Sequence, residues 1–463
     1  MLIRNAEVWG HGLADVRLSG DIIAEIAPPD TLTDGYVIDA HGGALLPGLH
    51  DHHIHLAAQA ARAASVFCGP PEVNSPEELA TVLKRAGTGW LRGTGYHESV
   101  MGLPNARSLD RLLPDRPLRI QHRSGRMWLL NSPALALLLD AAAPPSGLER
   151  DANGYTGRLF DEDAWLQAAL SSEPPDFAAV SHELARFGVT GVTDMSPRND
   201  AVMAAHVSEQ IRSGRLRQHC RLAGSLELAK AANGPWQLGE AKLHLHEAAL
   251  PDPDETARFV AAAHDQQRAV AIHCVSEIEL VYALAILRQS GPRTGDRIEH
   301  ASITTPDLIR EIAAMGLHVC VQPHFLSERG DRYLLDVEQR HHADLYHLLS
   351  LQAAGIALAG GSDAPFGSTD PWQAMAAAVS RRTPSGQIIG AEEALTPEAA
   401  LALYLVAPDA IGSQRRVEVN AQADLCLLAA PWAEIRRDLG ARHVRATIAS
   451  GHIICDPVDQ SPG

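Results

Sequence analysis

Between about residues 189 and 381 the chain alternates short apolar runs with longer stretches whose apolar residues recur every three to four positions. This pattern constrains the fold more than any other feature, because strand-then-helix alternation marks βα units and a parallel sheet. Eight strand-like runs can be read: Ala44–Leu46 continuing into two histidines, then Val189–Thr193, Cys220–Ala223, Ala241–Leu245, Ala269–Ile272, Arg297–Glu299, Val319–Val321 and Ile356–Ala359. Helical spacing is found over Asp254–Gln267, Glu277–Gln289, Pro306–Met315, Ala343–Ala354 and Pro371–Arg381. Thr305-Pro306 and Thr396-Pro397 place a capping threonine before a proline suited to the first helical turn. Eight such strands with helices between them predict an α/β fold, a (β/α)8 TIM-like barrel.

The gap between the first and second strands is too long for one βα connection. An inserted subdomain over about residues 60–175 is expected, with Ala143–Gly147 and Pro174-Pro175 as loops. Both chain ends have a different texture, short strands broken by Gly and Asp. At the start these are Leu2-Ile3, Val8-Trp9, Val16–Leu18, Ile22–Ile26 and Tyr36–Ile38; at the end, Val417–Val419, Ala423–Leu428, Val444–Ile448 and His452–Ile454. Neither end suffices for a sheet alone. Residues 1–47 and 404–463 are expected to form one discontinuous β-sandwich domain around a barrel of residues 48–403.

Two imidazoles, His53 and His55, stand one residue apart directly after the first apolar run. Residues i and i+2 of a strand share a face, so the pair can grip one cation, and neutral imidazole is the commonest metal ligand. His273, His300 and Asp363 each follow a later strand-like run, and Lys242 lies in a fourth. Catalytic groups of such barrels sit at the C-terminal strand ends, so these side chains could converge on one mouth. Lys242 is conspicuous because the 39 basic residues include only three lysines, Lys84, Lys230 and Lys242.

A formal net charge of -17 argues against nucleic acid or an anionic membrane as partner, since both require a basic surface. Six dispersed cysteines without a CxxC pair read as reduced thiols. No leader-like segment or bilayer-spanning run is apparent, so a cytoplasmic location and a small-molecule substrate are expected, with a homodimer as a common arrangement.

The motifs PGLHDHHIHL (47–56), AKL (241–243), AIHC (271–274), IEHA (298–301), VQPH (321–324) and GGSDAP (360–365) resemble those of the amidohydrolase superfamily, in the branch that includes N-substituted formamide deformylases. Trp90–Gly95 and Trp128–Ser132 are weaker matches in the insert, and the tail ADLCLL…TIASGHII fits the family's closing β-domain. The resemblance implies a site with one or two divalent metals per chain, usually zinc. His53 and His55 would bind one metal with Asp363, and His273 and His300 the second. Lys242 would be carboxylated and bridge them, because a carbamate offers anionic oxygens where an ammonium cannot ligate. Bound zinc lowers the pKa of its water to about 7. Asp363 would take the proton and pass it to the leaving nitrogen, while a metal or a neighbouring histidine such as His300 stabilises the oxyanion. The reaction implied is hydrolysis of a C–N bond, most plausibly an amide.

Plainer readings stand beside these. His50 and His52 form another alternate pair, read as supporting or packing residues. His244 and His246 share the face of Lys242 and compete with it for metal. Asp363 in Ser-Asp-Ala-Pro could be a turn residue. His324 could touch substrate or pack. In the insert, His97, His122, Arg123 and Arg126 are pocket-lining candidates against a structural or surface role; the family often has His where Arg126 stands. Glu277 fits a first-turn helix acid, although a mononuclear deaminase of the same superfamily would use such a carboxylate to shuttle protons. A non-catalytic, ligand-binding barrel is the third reading.

Overall fold

The computed structural model describes residues 1–456 except 34, 71, 85–88 and 171–173. The last seven residues of the expected terminal domain lie outside the described set. The chain forms two compact units, one of Met1–Gln59 with Asp176–Gly463 and one of Ala60–Pro175.

In the larger unit eight parallel strands follow one another in chain order: β1 (Leu49–Ile54), β2 (Val189–Asp194), β3 (His219–Gly224), β4 (Gln237–His244), β5 (Val270–Cys274), β6 (Arg297–His300), β7 (His318–Val321) and β8 (Leu358–Gly360). Helices such as Pro253–Asp265, Glu277–Ser290 and Pro306–Ala314 connect them. β1 and β8 share no ladder, but a parallel bridge between Ile54 and Ala364 joins their ends. Asp363 N donates to His53 O at 2.6 Å and His55 N to Ala364 O at 2.8 Å. The result is a nearly closed (β/α)8 barrel.

The first expected strand is in fact two. Ala44–Pro47 pairs within the terminal sheet and Leu49–Ile54 within the barrel. Gly48 stands between them, where a Cβ would lie 2.3 Å from the Thr190 side chain. The helix expected over Ala343–Ala354 shrinks to Leu348–Ala353. Tyr346 has φ +52, a conformation no helix can contain, and Arg381 takes the carbonyls of Leu345 and Tyr346, each at 2.9 Å. Val417–Val419 forms no strand, whereas Val406–Ala407 pairs with Ala410–Gln414. A helix at His324–Asp336, directly after the Gln-Pro that ends β7, was not foreseen.

Both chain ends contribute to one eight-stranded sheet. Leu2–Val8 lies between Gly12–Ser19 and Ala44–Pro47, and the C-terminal strands Leu425–Leu428, Val444–Ala449 and His452–Cys455 continue from there. Its buried face carries Ile3, Val16, Ile23, Leu45, Leu425, Leu427 and Ile448.

The inserted unit holds a six-stranded sheet, with Leu91–Tyr96, Leu118–His122, Met127–Leu130 and Gly154–Phe160 at its centre. Asn131, in the Trp-Leu-Leu-Asn-Ser motif, is fully buried. Its Oδ1 accepts from Leu118 N and caps the next helix at Ala134 N, and its Nδ2 donates to Leu113 O and Arg116 O. The motif is therefore a structural staple. Among the described residues no helix is long and apolar enough to cross a membrane.

Candidate active site

The six side chains selected from strand ends gather at the C-terminal mouth of the barrel. His53 and His55 come from β1 and its end, Lys242 from β4, His273 from β5, His300 from β6, and Asp363 from the loop after β8. His53 Nε2 and His55 Nε2 lie 3.2 and 3.1 Å from Asp363 Oδ1. The three residues offer ligand atoms that all lie within 4.8 Å of one another. The His300 ring centroid is 4.9 Å from that of His53 and 4.5 Å from that of His273. His300 and Asp363 hold φ of +71 and +52, uncommon for residues with a Cβ and typical of positions where the surroundings dictate the backbone.

Supporting partners fix these rings. His53 Nδ1 is 2.5 Å from Glu299 Oε2, and Glu299 also accepts from Arg297 Nε. Arg297 Nη2 donates to His52 O at 2.7 Å, which ties this pair to β1. His300 Nδ1 meets Gln322 Oε1 at 2.8 Å and His55 Nδ1 meets Ser196 Oγ at 3.2 Å. A carboxylate or amide at one ring nitrogen leaves the other directed at the metal. Asp51 Oδ1 accepts from His53 N at 3.1 Å and Ser362 N at 2.9 Å, pinning the two segments that carry His53 and Asp363. Glu299, Gln322 and Asp51 were missed in the sequence. Each left the same signal, since Asp51 sits inside PGLHDHHIHL, Glu299 inside IEHA and Gln322 inside VQPH.

Electrostatics agree with a cation site. Burial pushes the Glu299 carboxyl up, but Arg297, Lys242 and His53 hold it well below the usual range. Burial also raises Asp363, yet His53, His55 and His300 keep it well below the usual range. Burial drives His300 down to about 3 and lowers His273 strongly, so both present neutral rings. His53 is the exception: burial lowers it, but Glu299 and Asp363 raise it further than burial depresses it.

The donors present fit a divalent cation. His300 Nε2 and Lys242 Nζ are buried and have no hydrogen-bond partner, a rare condition for polar atoms. Lys242 is lowered by burial, against the pull of Glu299, which favours the neutral amine that can react with carbon dioxide. His244 stays more open and stacks on His273, centroid to centroid 4.2 Å. His246 accepts from Ala248 N and caps a short 3-10 turn.

A cavity of about 650 Å³ opens over these residues. Besides them it is lined by Ser196, His244, Glu279, Phe325, Arg329, Tyr333, Tyr346 and Phe366, among others. His324 does not line it. That residue is fully buried and its Nε2 lies 3.0 Å from Ser362 O, so it braces the loop that carries Asp363. Glu277 faces His341 at 3.6 Å. Glu279 lines the cavity but completes a capping box with Ser276 and accepts from Glu247 N and Val275 N. His50 and His52 are buried behind the mouth, their ring centroids 4.5 Å apart. His97 and Arg126 belong to the inserted unit. There His97 bonds Ser99 and neighbours Glu98, and Arg126 forms a forked pair with Asp161.

Comparison with known proteins places this geometry in a lineage. The chain is 25% identical over 477 residues to YtcJ of Bacillus subtilis (strain 168), covering 90% of each chain. It is 26% identical over 493 residues to the N-substituted formamide deformylase of Arthrobacter pascens, covering 91% of this chain and 89% of that one. The structure of an uncharacterised metal-dependent hydrolase from Pyrococcus horikoshii OT3 has the same fold, with a TM-score of 0.79 at 19% identity over 96% of this chain and 99% of that one. A model described as the amidohydrolase family matches residues 36–455. The chain therefore belongs to the amidohydrolase family and is a hydrolase of that superfamily.

Proposed function

We propose that this protein hydrolyses a C–N bond of amide type in a small N-acyl or N-formyl compound. The observation that carries the reading is the meeting of His53, His55 and Asp363 around one point, with His273, His300 and the buried, unpartnered Lys242 beside them. His53, His55 and Asp363 would hold one divalent cation, zinc being the first choice for this donor set. His273, His300 and a carboxylated Lys242 would hold the second. Such a cation supplies Lewis acidity and acidifies a water. Asp363, ionised at neutral pH, accepts the water's proton and returns it to the leaving nitrogen. The oxygen joins the carbonyl carbon, the C–N bond breaks, and the amine departs with the proton. His300, with its ring neutral and its free Nε2 directed into the site, is kept in place by Gln322.

A deaminase reading relies on Glu277 as proton carrier, and that residue is turned to His341. The buried Lys242 Nζ and His300 Nε2, both without a hydrogen-bond partner, also favour the amide reading. Elemental analysis of the purified protein separates them, near two metal ions per chain for the amidohydrolase and near one for the deaminase. A screen of N-acyl, N-formyl and N-carbamoyl compounds on metal-loaded protein identifies the substrate. Asp363→Asn, at unchanged metal content, is expected to lower kcat by about 10²–10⁴-fold. Full turnover by that variant would remove Asp363 from the mechanism, whereas no turnover of any of these compounds by the metal-loaded wild type would leave the non-catalytic reading.

A further inference from the structure

One wall of the cavity is aromatic and carries a single arginine. Phe325, Arg329 and Tyr333 project from the helix His324–Asp336, and Phe366 and Tyr346 face the same space. Phe325 and Tyr346 are nearly fully buried, whereas Phe366 is 59% exposed at the lip. The Tyr346 hydroxyl accepts from Ser302 Oγ at 3.2 Å and lies 3.3 Å from that of Tyr333, so the phenols are held. Arg329 lays its guanidinium over the Phe325 ring, 4.4 Å from the centroid, and donates to Phe366 O. It has no carboxylate within ion-pair distance among the described residues. The adjacent Glu328 instead accepts from Ser368 N at 3.0 Å. Arg329 is exposed and lines the cavity, so its guanidinium is open to a ligand there. Glu279, the other carboxylate on the wall beside Asp363, has its oxygens taken by backbone N–H groups and forms no ion pair with Arg329.

Building on the amide-hydrolase reading, we infer that the substrate carries both an aromatic ring and a carboxylate, the ring seated against Phe325, Tyr333 and Phe366 and the carboxylate paired with Arg329. Arg329 gives one N–H to Phe366 O and meets the Tyr333 hydroxyl, which holds the guanidinium in place on the ring, and its remaining N–H groups can pair with a carboxylate. The aromatic wall provides the area, and the arginine selects among molecules that share the ring.

The inference is tested by binding to the full-length, metal-loaded protein, so that it stands even if no amide of the screen is turned over. The probes are 3-phenylpropanoate and its neutral counterpart 3-phenylpropan-1-ol, measured by calorimetry against the wild type, Arg329→Gln, Arg329→Lys and Phe325→Ala. The wild type is expected to bind the acid about 10–100-fold more tightly than the alcohol. Arg329→Gln should abolish that ratio and leave the alcohol unchanged, Arg329→Lys should keep part of it, and Phe325→Ala should weaken both probes together. Equal binding of the two probes by the wild type would overturn the proposal. So would an acid preference that survives Arg329→Gln, because the carboxylate would then be held by the metal and not by Arg329. Should amides be hydrolysed while these binding ratios are flat, the reaction class survives and the substrate class falls.

Discussion

Glu299 shows how much a single residue decides at this site. It lies two positions from Arg297 on β6, and both side chains are fully buried. A buried carboxylate without partners would protonate. Here a guanidinium on one side and an imidazole on the other keep it charged, and the charge in turn orients His53. Glu299→Gln keeps the shape and removes the charge. It is expected to weaken metal binding about 10–100-fold, read by competition with a chelator, with the fold intact by circular dichroism. Unchanged affinity would show that Arg297, not the ligand His53, is the purpose of Glu299. The candidate ligands were legible because they stand in or just after strand-like runs, whereas Glu299, Gln322 and Asp51 reach the site through side-chain bonds that no spacing announces. His324 illustrates the converse, a histidine in a family motif whose ring is spent on Ser362 O.

At the level of elements the critical junction is the seam between the first and last strands. β8 ends at Gly360, and Gly361 passes so close to β1 that a Cβ there would lie 2.5 Å from His53 Cβ and 2.7 Å from His53 N. Neither contact is the tip of a flexible side chain, so a methyl group must push the Asp363 loop away from the His pair. Gly361→Ala is expected to destabilise the protein by about 1–3 kcal/mol and to lower metal affinity as well. Urea unfolding and metal titration on one preparation check both. Loss of stability with full metal affinity would mean that the seam relaxes without moving Asp363. Strand order along the barrel was readable because short strand-like runs alternate with helical spacing, as expected of successive βα units. The errors fell where tertiary bonds overrule local pattern. Helical spacing runs through Leu345 and Tyr346, but Arg381, more than thirty residues on, claims their carbonyls. The break at Gly48 was hidden because apolar residues flank it on both sides, and only the approach of Thr190 explains the glycine.

Across the whole molecule, the barrel stores neutral imidazoles. Burial drives His50 and His52 well below their ordinary value, brings His300 to about 3, and lowers His324 as well. In the unfolded chain these rings titrate near 6.5. Below that pH the unfolded state binds protons that the folded state refuses, so their stabilising contribution is complete above about 6.5 and is lost as pH falls. Each such ring gives a slope of at most about 1.4 kcal/mol per pH unit. Four groups, Asp51, His53, His219 and Asp370, work with the opposite sign. Asp51, pushed up to about 6 by burial, favours the folded state as pH drops from 6 towards 4, and His53, raised overall although burial opposes it, does the same near neutrality. Seven depressed imidazoles, the four above together with His244, His273 and His318, outnumber the groups of opposite sign and leave acid destabilisation as the net result, and it begins before the ordinary carboxylates protonate. Metal-free protein should therefore lose several kcal/mol of unfolding free energy between pH 7 and pH 5, measured by urea melts at fixed ionic strength. His52→Leu removes a ring whose two nitrogens have no hydrogen-bond partner, and should flatten the slope by up to one ring's share. A stability that is flat or rising over that interval would show that the buried histidines take up protons in the folded state, and that the neutral rings assigned to the barrel are charged.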